Sequence, residues 1–212
     1  MANLSVAIAF AKDYLTTGHE GERYYFQRYL QEVGPREQDK AFAGKTPVRQ
    51  NSYLGKLAEL RSEILVEQPS RVLEIGVKHG FSTFTILSAL KRDGVLVSID
   101  RNRSTPLGQP VGHVVPTKAR APWTLMIGDA LELLGSMGDF DFIYEDRGKC
   151  PKSNLLEVLW SHLNPGGTLF IGSRVVNEEF DSFAISKGDW TKKNPSDDPA
   201  ISAWATLKKS QA

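Results

Sequence analysis

Cysteine is almost missing from this chain, with Cys150 the only one. A lone thiol excludes an internal disulfide and suits a reducing compartment. An excess of charge of either sign is missing too. Lys and Arg number 26 against 25 Asp and Glu, a net charge of +1 over 212 residues. Such a balance leaves no electrostatic footprint for nucleic acid or an anionic membrane surface. No apolar run approaches the ~20 residues that a membrane span needs. The patch from Val6 to Phe10 has neither a basic flank before it nor a cleavage signature, so it does not read as a secretion signal. These absences describe a soluble, cytoplasmic chain with neither nucleic acid nor membrane as partner. Its length suits one α/β domain with a modest extension.

Two motifs are also wanting. After the apolar run Val72, Leu73 and Ile75 comes Gly76, where a dinucleotide fingerprint G-x-G-x-x-G would begin. Lys78 and Phe81 stand where its next two glycines belong, so that fingerprint fails. A Tyr-x-x-x-Lys catalytic pair is likewise lacking, which tells against a dinucleotide oxidoreductase.

What is present is a strand, a glycine turn and a helix. Val72 to Ile75 reads as a buried strand. Gly76 and Gly80 punctuate a tight loop, and Phe81, Phe84, Ile86, Leu87 and Leu90 give a helix-length apolar stretch. Ser82 and Thr83 are placed as its N-cap. Such a unit presents backbone N–H groups and a positive helix end to a ligand.

The spacing Glu74, Gly76, Gly80, Ser82 fits E-x-G-x-x-x-G-x-S/T, which resembles motif I of class I S-adenosylmethionine (SAM) methyltransferases. The resemblance implies a doubly wound, mostly parallel seven-stranded α/β sheet of the Rossmann-like methyltransferase kind. It implies SAM as cofactor and S-adenosylhomocysteine (SAH) as product. Gly76, Val77, Gly80 and Ser82 would then form the loop at the methionine end of the cofactor, where a Cβ on either glycine would collide with it. Glu74 would organise that loop and meet the cofactor's ammonium, directly or through water.

Later elements continue the pattern in order. Val95 to Asp100 is a second strand. Asp100 at its carboxyl end, with Arg101 beside it, borders the ligand crevice of an open α/β sheet. It would accept both ribose hydroxyls, or alternatively cap a following helix. Residues 102 to 122 hold Pro106, Pro110, Pro116 and Pro122, so a regular helix cannot run through them. Trp123 to Ile127 reads as a third strand, followed by Gly128-Asp129-Ala130 and a helix from Leu131 to Met137. Gly-Asp-Ala resembles the family's adenine-end signature: Asp129 would accept from the adenine amino group and Ala130 would offer its N–H. Asp129 could also cap that helix, and the two roles are compatible.

Strand four, Phe140 to Tyr144, ends in Glu145, Asp146 and Lys149. This phrase resembles F-D-x-I-F-I-D-x-x-K of the catechol-type, cation-dependent O-methyltransferases. On that match Asp146 falls on a divalent-metal ligand that also belongs to the cofactor site, and Lys149 on the general base. A lysine with a pKa of roughly 10 must be shifted down to act at neutral pH. Glu145 and Asp146 oppose that shift, yet could accept the proton themselves. His79 and His162 are weaker candidates, and Cys150 reads as a small buried residue. The family completes its metal site with an Asp-Asn pair just after strand five. Here strand five, Gly167 to Ile171, follows the turn Leu163-Asn-Pro-Gly-Gly167 and leads into Gly172-Ser173. One carboxylate makes a weak magnesium site, so no metal is expected.

The remaining segments carry less chemistry. Residues 4–15 and 22–33 have helical spacing, and the second is rich in aromatics. This extension, residues 1–68, is open to three roles: a lid, a homodimer surface, or plain packing beside a SAM-binding core of residues 69–212. Within it, Gln50 to Glu67 is a long helix with Tyr53, Leu57, Leu60, Ile64 and Leu65 inward. Beyond strand five, Phe183 and Ile185 with Ile201, Ala203, Ala205 and Leu207 are expected to form an antiparallel pair, joined by a polar loop from Lys187 to Pro199. The functional expectation is methyl transfer to a hydroxyl of a small metabolite. The alternative is a protein of the same fold that binds SAM without turning it over.

Overall fold

Each central strand is a short apolar run stopped by a glycine or an acid, and this spacing sets the architecture. The computed structural model describes residues 47–106, 108–115, 117–148, 151–172, 178–188, 190–193 and 204–211. The expected helices at 4–15 and 22–33, the loop at 36–45, and Lys149, Cys150, Ser173, Ile201 and Ala203 lie outside the described residues.

Helix α1 (Pro47–Glu67) opens on a proline, whose missing N–H costs nothing at a first helical position. It stops at Gln68, which turns left-handed at φ 48, just before Pro69. Residues 56–212 form a compact unit by themselves, and Leu57, Leu60 and Ile64 of α1 are buried in it. Leu65, expected with them, is instead 42% exposed. It lies one residue off the i, i+3, i+7 face that the other three define.

The described residues then give β1 (Arg71–Ile75), α2 (Phe81–Ala89), β2 (Val95–Asp100), β3 (Trp123–Ile127), α3 (Ala130–Leu134), β4 (Phe140–Glu145), α4 (Ser153–Ser161), β5 (Leu163–Ile171), α5 (Glu178–Lys187), β6 (Trp190–Lys193) and β7 (Trp204–Lys208). They form a seven-stranded sheet in the order β3-β2-β1-β4-β5-β7-β6. β1 to β5 are parallel, and β7 runs antiparallel to both β5 and β6. This is the doubly wound fold expected from the sequence. Leu73, Ile75, Ile99, Ile143, Leu169 and Ile171 are almost or fully buried and share one core cluster, as strands covered on both faces require.

Some details differ from expectation. Strand five begins at Leu163 rather than Gly167. Leu163 pairs with Phe140 and Thr168 with Phe142, so the residues between them bulge out of the ladder, and Gly166 takes the φ of +77 that the bulge needs. Phe183 and Ile185 are in helix α5, not a strand. Phe180, Phe183 and Ala184 face inward at helical spacing, whereas Ile185 is 70% exposed. The antiparallel strand expected there is β6, inside the anticipated polar loop. Helix α3 stops at Leu134 instead of Met137, with Gly135 as its C-cap. Helix α4 was not among the expected elements. Ser82 and Thr83 do not cap α2: its N-cap is Gly80, with no side-chain cap.

The proline-rich segment after β2 holds no α-helix among its described residues, as its prolines dictate. It makes turns and a 3-10 turn at Thr117–Ala119, and it docks on the glycine loop. Gly112 N–H donates to the Lys78 carbonyl at 2.9 Å, and Val114 N–H to that of His79 at 3.2 Å. Among the described residues no helix is long and apolar enough to cross a membrane.

Candidate cofactor and active site

The strand order reverses between β1 and β4, so a crevice opens beyond the carboxyl ends of the parallel strands. The residue at or just after each end extends the hydrogen-bond ladder. Gly128 N–H donates to the Asp100 carbonyl (2.9 Å), Gly76 to Ile99 (2.8 Å), Asp146 to Ile75 (2.9 Å) and Gly172 to Glu145 (2.7 Å). Gly128, Asp100, Gly76, Asp146 and Gly172 thus form one row.

A cavity of about 600 Å³ lies against this row. Gly76, Asp100, Arg101, Gly128, Asp129 and Ala130, all expected at the cofactor, line it. Ile75, Ile99, Leu131 and Leu155 give it apolar surface, and Lys78, Asn102, Arg147, Lys152 and Asn154 add polar groups that the sequence did not single out. Apolar walls with a few convergent polar groups suit a small organic ligand. Glu74, Val77, Gly80, Ser82 and Asp146 are not among the lining residues.

Glu74 is fully buried behind the glycine loop. Its carboxyl accepts from Ser82 Oγ (2.6 Å), Thr83 Oγ1 (2.7 Å) and Ser98 Oγ (2.6 Å). Trp123 Nε1 donates in turn to Ser98 Oγ at 2.9 Å. Hence the hydroxyls expected at a helix cap are spent on a buried acid. Burial raises the Glu74 carboxyl to about 7. The three hydroxyl bonds pull against that rise, and the Asp146 charge adds to it.

Asp100 ties the loop to β2. Its Oδ2 accepts from Val77 N–H (3.0 Å) and Lys78 N–H (2.9 Å), and its Oδ1 from Asn102 N–H (2.9 Å). An ionised carboxylate has about four acceptor sites, so Oδ1 keeps one for a further donor. Asp129 caps α3 through Leu131 N–H at 2.9 Å, and its other oxygen accepts from Arg101 at 2.5 Å. The Arg101 bond foremost, then the Leu131 N–H, hold its carboxyl below the ordinary range.

The acids at the end of β4, Glu145 and Asp146, are both engaged. Glu145 is fully buried and accepts from Arg147 Nε at 2.9 Å. Asp146 accepts from Tyr144 Oη at 3.1 Å and forms an ion pair with Lys56 of α1. The Lys56 ammonium also donates to the Gly172 carbonyl at 2.8 Å. Lys56 is 4% exposed, and sequence reasoning missed it. The available signal was its position four residues before Leu60, on the inward face of α1. Among the described residues, no group of three or more His, Cys, Asp and Glu side chains is placed to share a metal ion. His79 meets His113 edge-on, ring centroids 5.3 Å apart. His162 immediately precedes β5, at the sheet edge opposite the cavity.

The fold is a doubly wound, Rossmann-like sheet with a cavity at its switch point. Residues 73–173 match the family model of a methyltransferase domain. The chain is 31% identical over 122 residues to caffeoyl-CoA O-methyltransferase 2 of Zea mays, a match covering 51% of this chain and 46% of that protein. The matched segment thus spans about half the length of that curated relative. Two solved structures share the fold. The O-methyltransferase TomG of Streptomyces achromogenes, in complex with SAM, superimposes with a TM-score of 0.61 at 16% identity, over 86% of this chain and 98% of that one. An O-methyltransferase of Bacillus cereus, in complex with SAH, gives 0.60 at 15% identity, over 84% and 96%. Residues 73–173 thus resemble a methyltransferase domain, and the chain shares its fold with O-methyltransferases.

Proposed function

We infer that the protein transfers the methyl group of SAM to a hydroxyl oxygen of a small molecule, without a divalent metal. The observation that carries this reading is the row of strand-end residues, with Asp100 and Asp129 both lining one cavity and Gly76 between the strands that diverge there. An oxygen acceptor is supported by the names of the Zea mays relative and of both solved structures.

Bound SAM would supply an electrophilic methyl on a sulfonium. In the transfer the acceptor oxygen forms the new C–O bond, the C–S pair returns to sulfur as SAH, and the hydroxyl proton goes to a base. Lys149, by its match, is the base we assign, acting as the neutral amine. Asp100 holds the glycine loop by two N–H groups and keeps an acceptor site toward ribose. Asp129 and the Ala130 N–H face the adenine end. The protein's main task is alignment of the reacting atoms.

Metal independence rests on the donor set. Asp146, the carboxylate at the family's metal position, already pairs with the Lys56 ammonium. Gly172 offers no side chain where the family has a carboxylate. These residues do not fit a divalent ion.

Calorimetric titration of the full chain with SAM and SAH, followed by a screen of hydroxylated acceptors for SAH release, tests this reading. Micromolar SAM binding and turnover in the presence of a chelator are expected. Failure to bind either ligand would remove it, and turnover that stops on chelation would remove the metal-independent part.

A further inference from the structure

A buried lysine needs a reason. Taking an ammonium out of water is unfavourable unless charge and hydrogen bonds compensate, and an apolar side chain of similar size would usually serve packing as well. Lys56 lies among Leu57, Leu60 and Ile64 on the inward face of α1, yet its ammonium reaches two oxygens at the carboxyl edge of the sheet: Asp146 Oδ2 and the Gly172 carbonyl. Tyr144 Oη completes the cluster through Asp146. A Cβ on Gly172 would lie 2.7 Å from that phenol oxygen, so the ends of β4 and β5 close over the ammonium. The cluster adjoins the cavity through Gly76, which lines it and packs against the Asp146 backbone.

We propose that the Lys56 ammonium is the resident cation on the acceptor side of this site, filling as part of the chain the place between the carboxylate after β4 and the backbone after β5. Lys56 is a positioning residue: it acts through Asp146 and sets the charge that the methyl-bearing end of the cofactor meets. The inference rests on the SAM reading. With the ammonium in place the Lys56–Asp146 pair is neutral overall, and the carboxylate neither traps a divalent ion nor over-stabilises the sulfonium that must lose its charge during transfer. Without the ammonium, Asp146 is an uncompensated anion in a half-dry site, where a charge acts more strongly than in water.

SAM and SAH make a matched pair of probes, differing by the methyl group and the sulfonium charge. Their affinity ratio reads the electrostatics near sulfur and cancels a general loosening, since both need the same folded site. The experiment is calorimetric titration of the full chain with SAM and with SAH, each with and without magnesium, in the wild type, Lys56→Met, Lys56→Arg and Asp146→Asn. Lys56→Met is expected to shift the preference toward SAM by about five- to tenfold, the scale of one charge acting through a partly screened interior. Asp146→Asn should shift it toward SAH, Lys56→Arg should keep the wild-type ratio, and magnesium should leave wild-type binding unchanged.

If circular dichroism shows Lys56→Met unfolded, Asp146→Asn and Lys56→Arg carry the comparison. Ratios that stay at the wild-type value in both charge-removing variants overturn the proposal, as does magnesium that tightens wild-type binding and loses that effect in Asp146→Asn. Binding of neither ligand to the wild type would remove the cofactor reading itself, a result distinct from an unchanged ratio.

Discussion

Gly76 and Asp146 meet backbone to backbone: a Cβ built on Gly76 would lie 2.6 Å from the Asp146 carbonyl oxygen. The glycine also holds φ +95, a conformation that L side chains rarely adopt. Strand four therefore demands glycine here before any ligand is considered. Gly76→Ala should cost about 2–4 kcal/mol through left-handed strain and overpacking and weaken SAM binding. Urea denaturation measures the first and calorimetry the second. A wild-type midpoint would mean that the ends of β1 and β4 can part without loss.

Glu74 predicts a pH dependence of stability. Its folded value of about 7 exceeds the ordinary 4.5, so the folded chain keeps a proton that the unfolded chain has released. Its contribution is complete below pH 4.5 and is lost as pH rises through 7. Glu74→Gln removes the titration. Between those limits the wild type should lose on the order of 3 kcal/mol relative to the variant. Denaturant midpoints at stepped pH decide the matter, and parallel profiles would contradict the assignment.

Asp100→Ala leaves three backbone N–H groups, those of Val77, Lys78 and Asn102, without their acceptor. Each buried unpaired donor costs about 1–3 kcal/mol, and the loop that frames the cavity should lose its shape. SAM affinity is expected to fall at least ~100-fold, the scale of two or more lost hydrogen bonds. Retained affinity would show that the loop holds without its anchor.

Asp129 and Arg101 separate capping from pairing. Asp129→Ala removes the cap of α3 and should cost about 1 kcal/mol. Arg101→Ala should cost less than about 0.5 kcal/mol, because its side chain is 73% exposed. Thermal midpoints of the two variants give the comparison. Equal losses would mean that the ion pair, not the cap, holds the turn.

The central sheet was legible because its strands are buried on both faces and so read as continuous apolar runs. Val72 to Ile75, Val95 to Asp100 and Phe140 to Glu145 stop where glycines or acids turn the chain. Helix α5 was not, because Phe183 and Ile185, two apart, imitate strand alternation while Phe180 supplies the helical partner. β6, Trp190-Thr-Lys-Lys193, carries too little apolar character to announce an edge strand. In the site, Gly76, Asp100 and Asp129 could be found because backbone geometry fixes them at strand ends. Arg147, Lys152 and Asn154 could not, since the crossover after β4 decides what they face. Lys56 was hidden for the opposite reason: hydropathy patterns treat a lysine as a surface residue, whatever its helical phase.

The chain of bonds from Trp123 through Ser98 and Glu74 to Ser82 and Thr83 fastens β3, β2, β1 and α2 together behind the cavity. A cofactor loop sewn to three strands has no cheap open form. Bonds on both of its flanks leave little of the ordering cost that a floppy loop would impose on binding. Cofactor association should therefore run as a single concentration-dependent phase, without a slow rearrangement of the glycine loop after encounter.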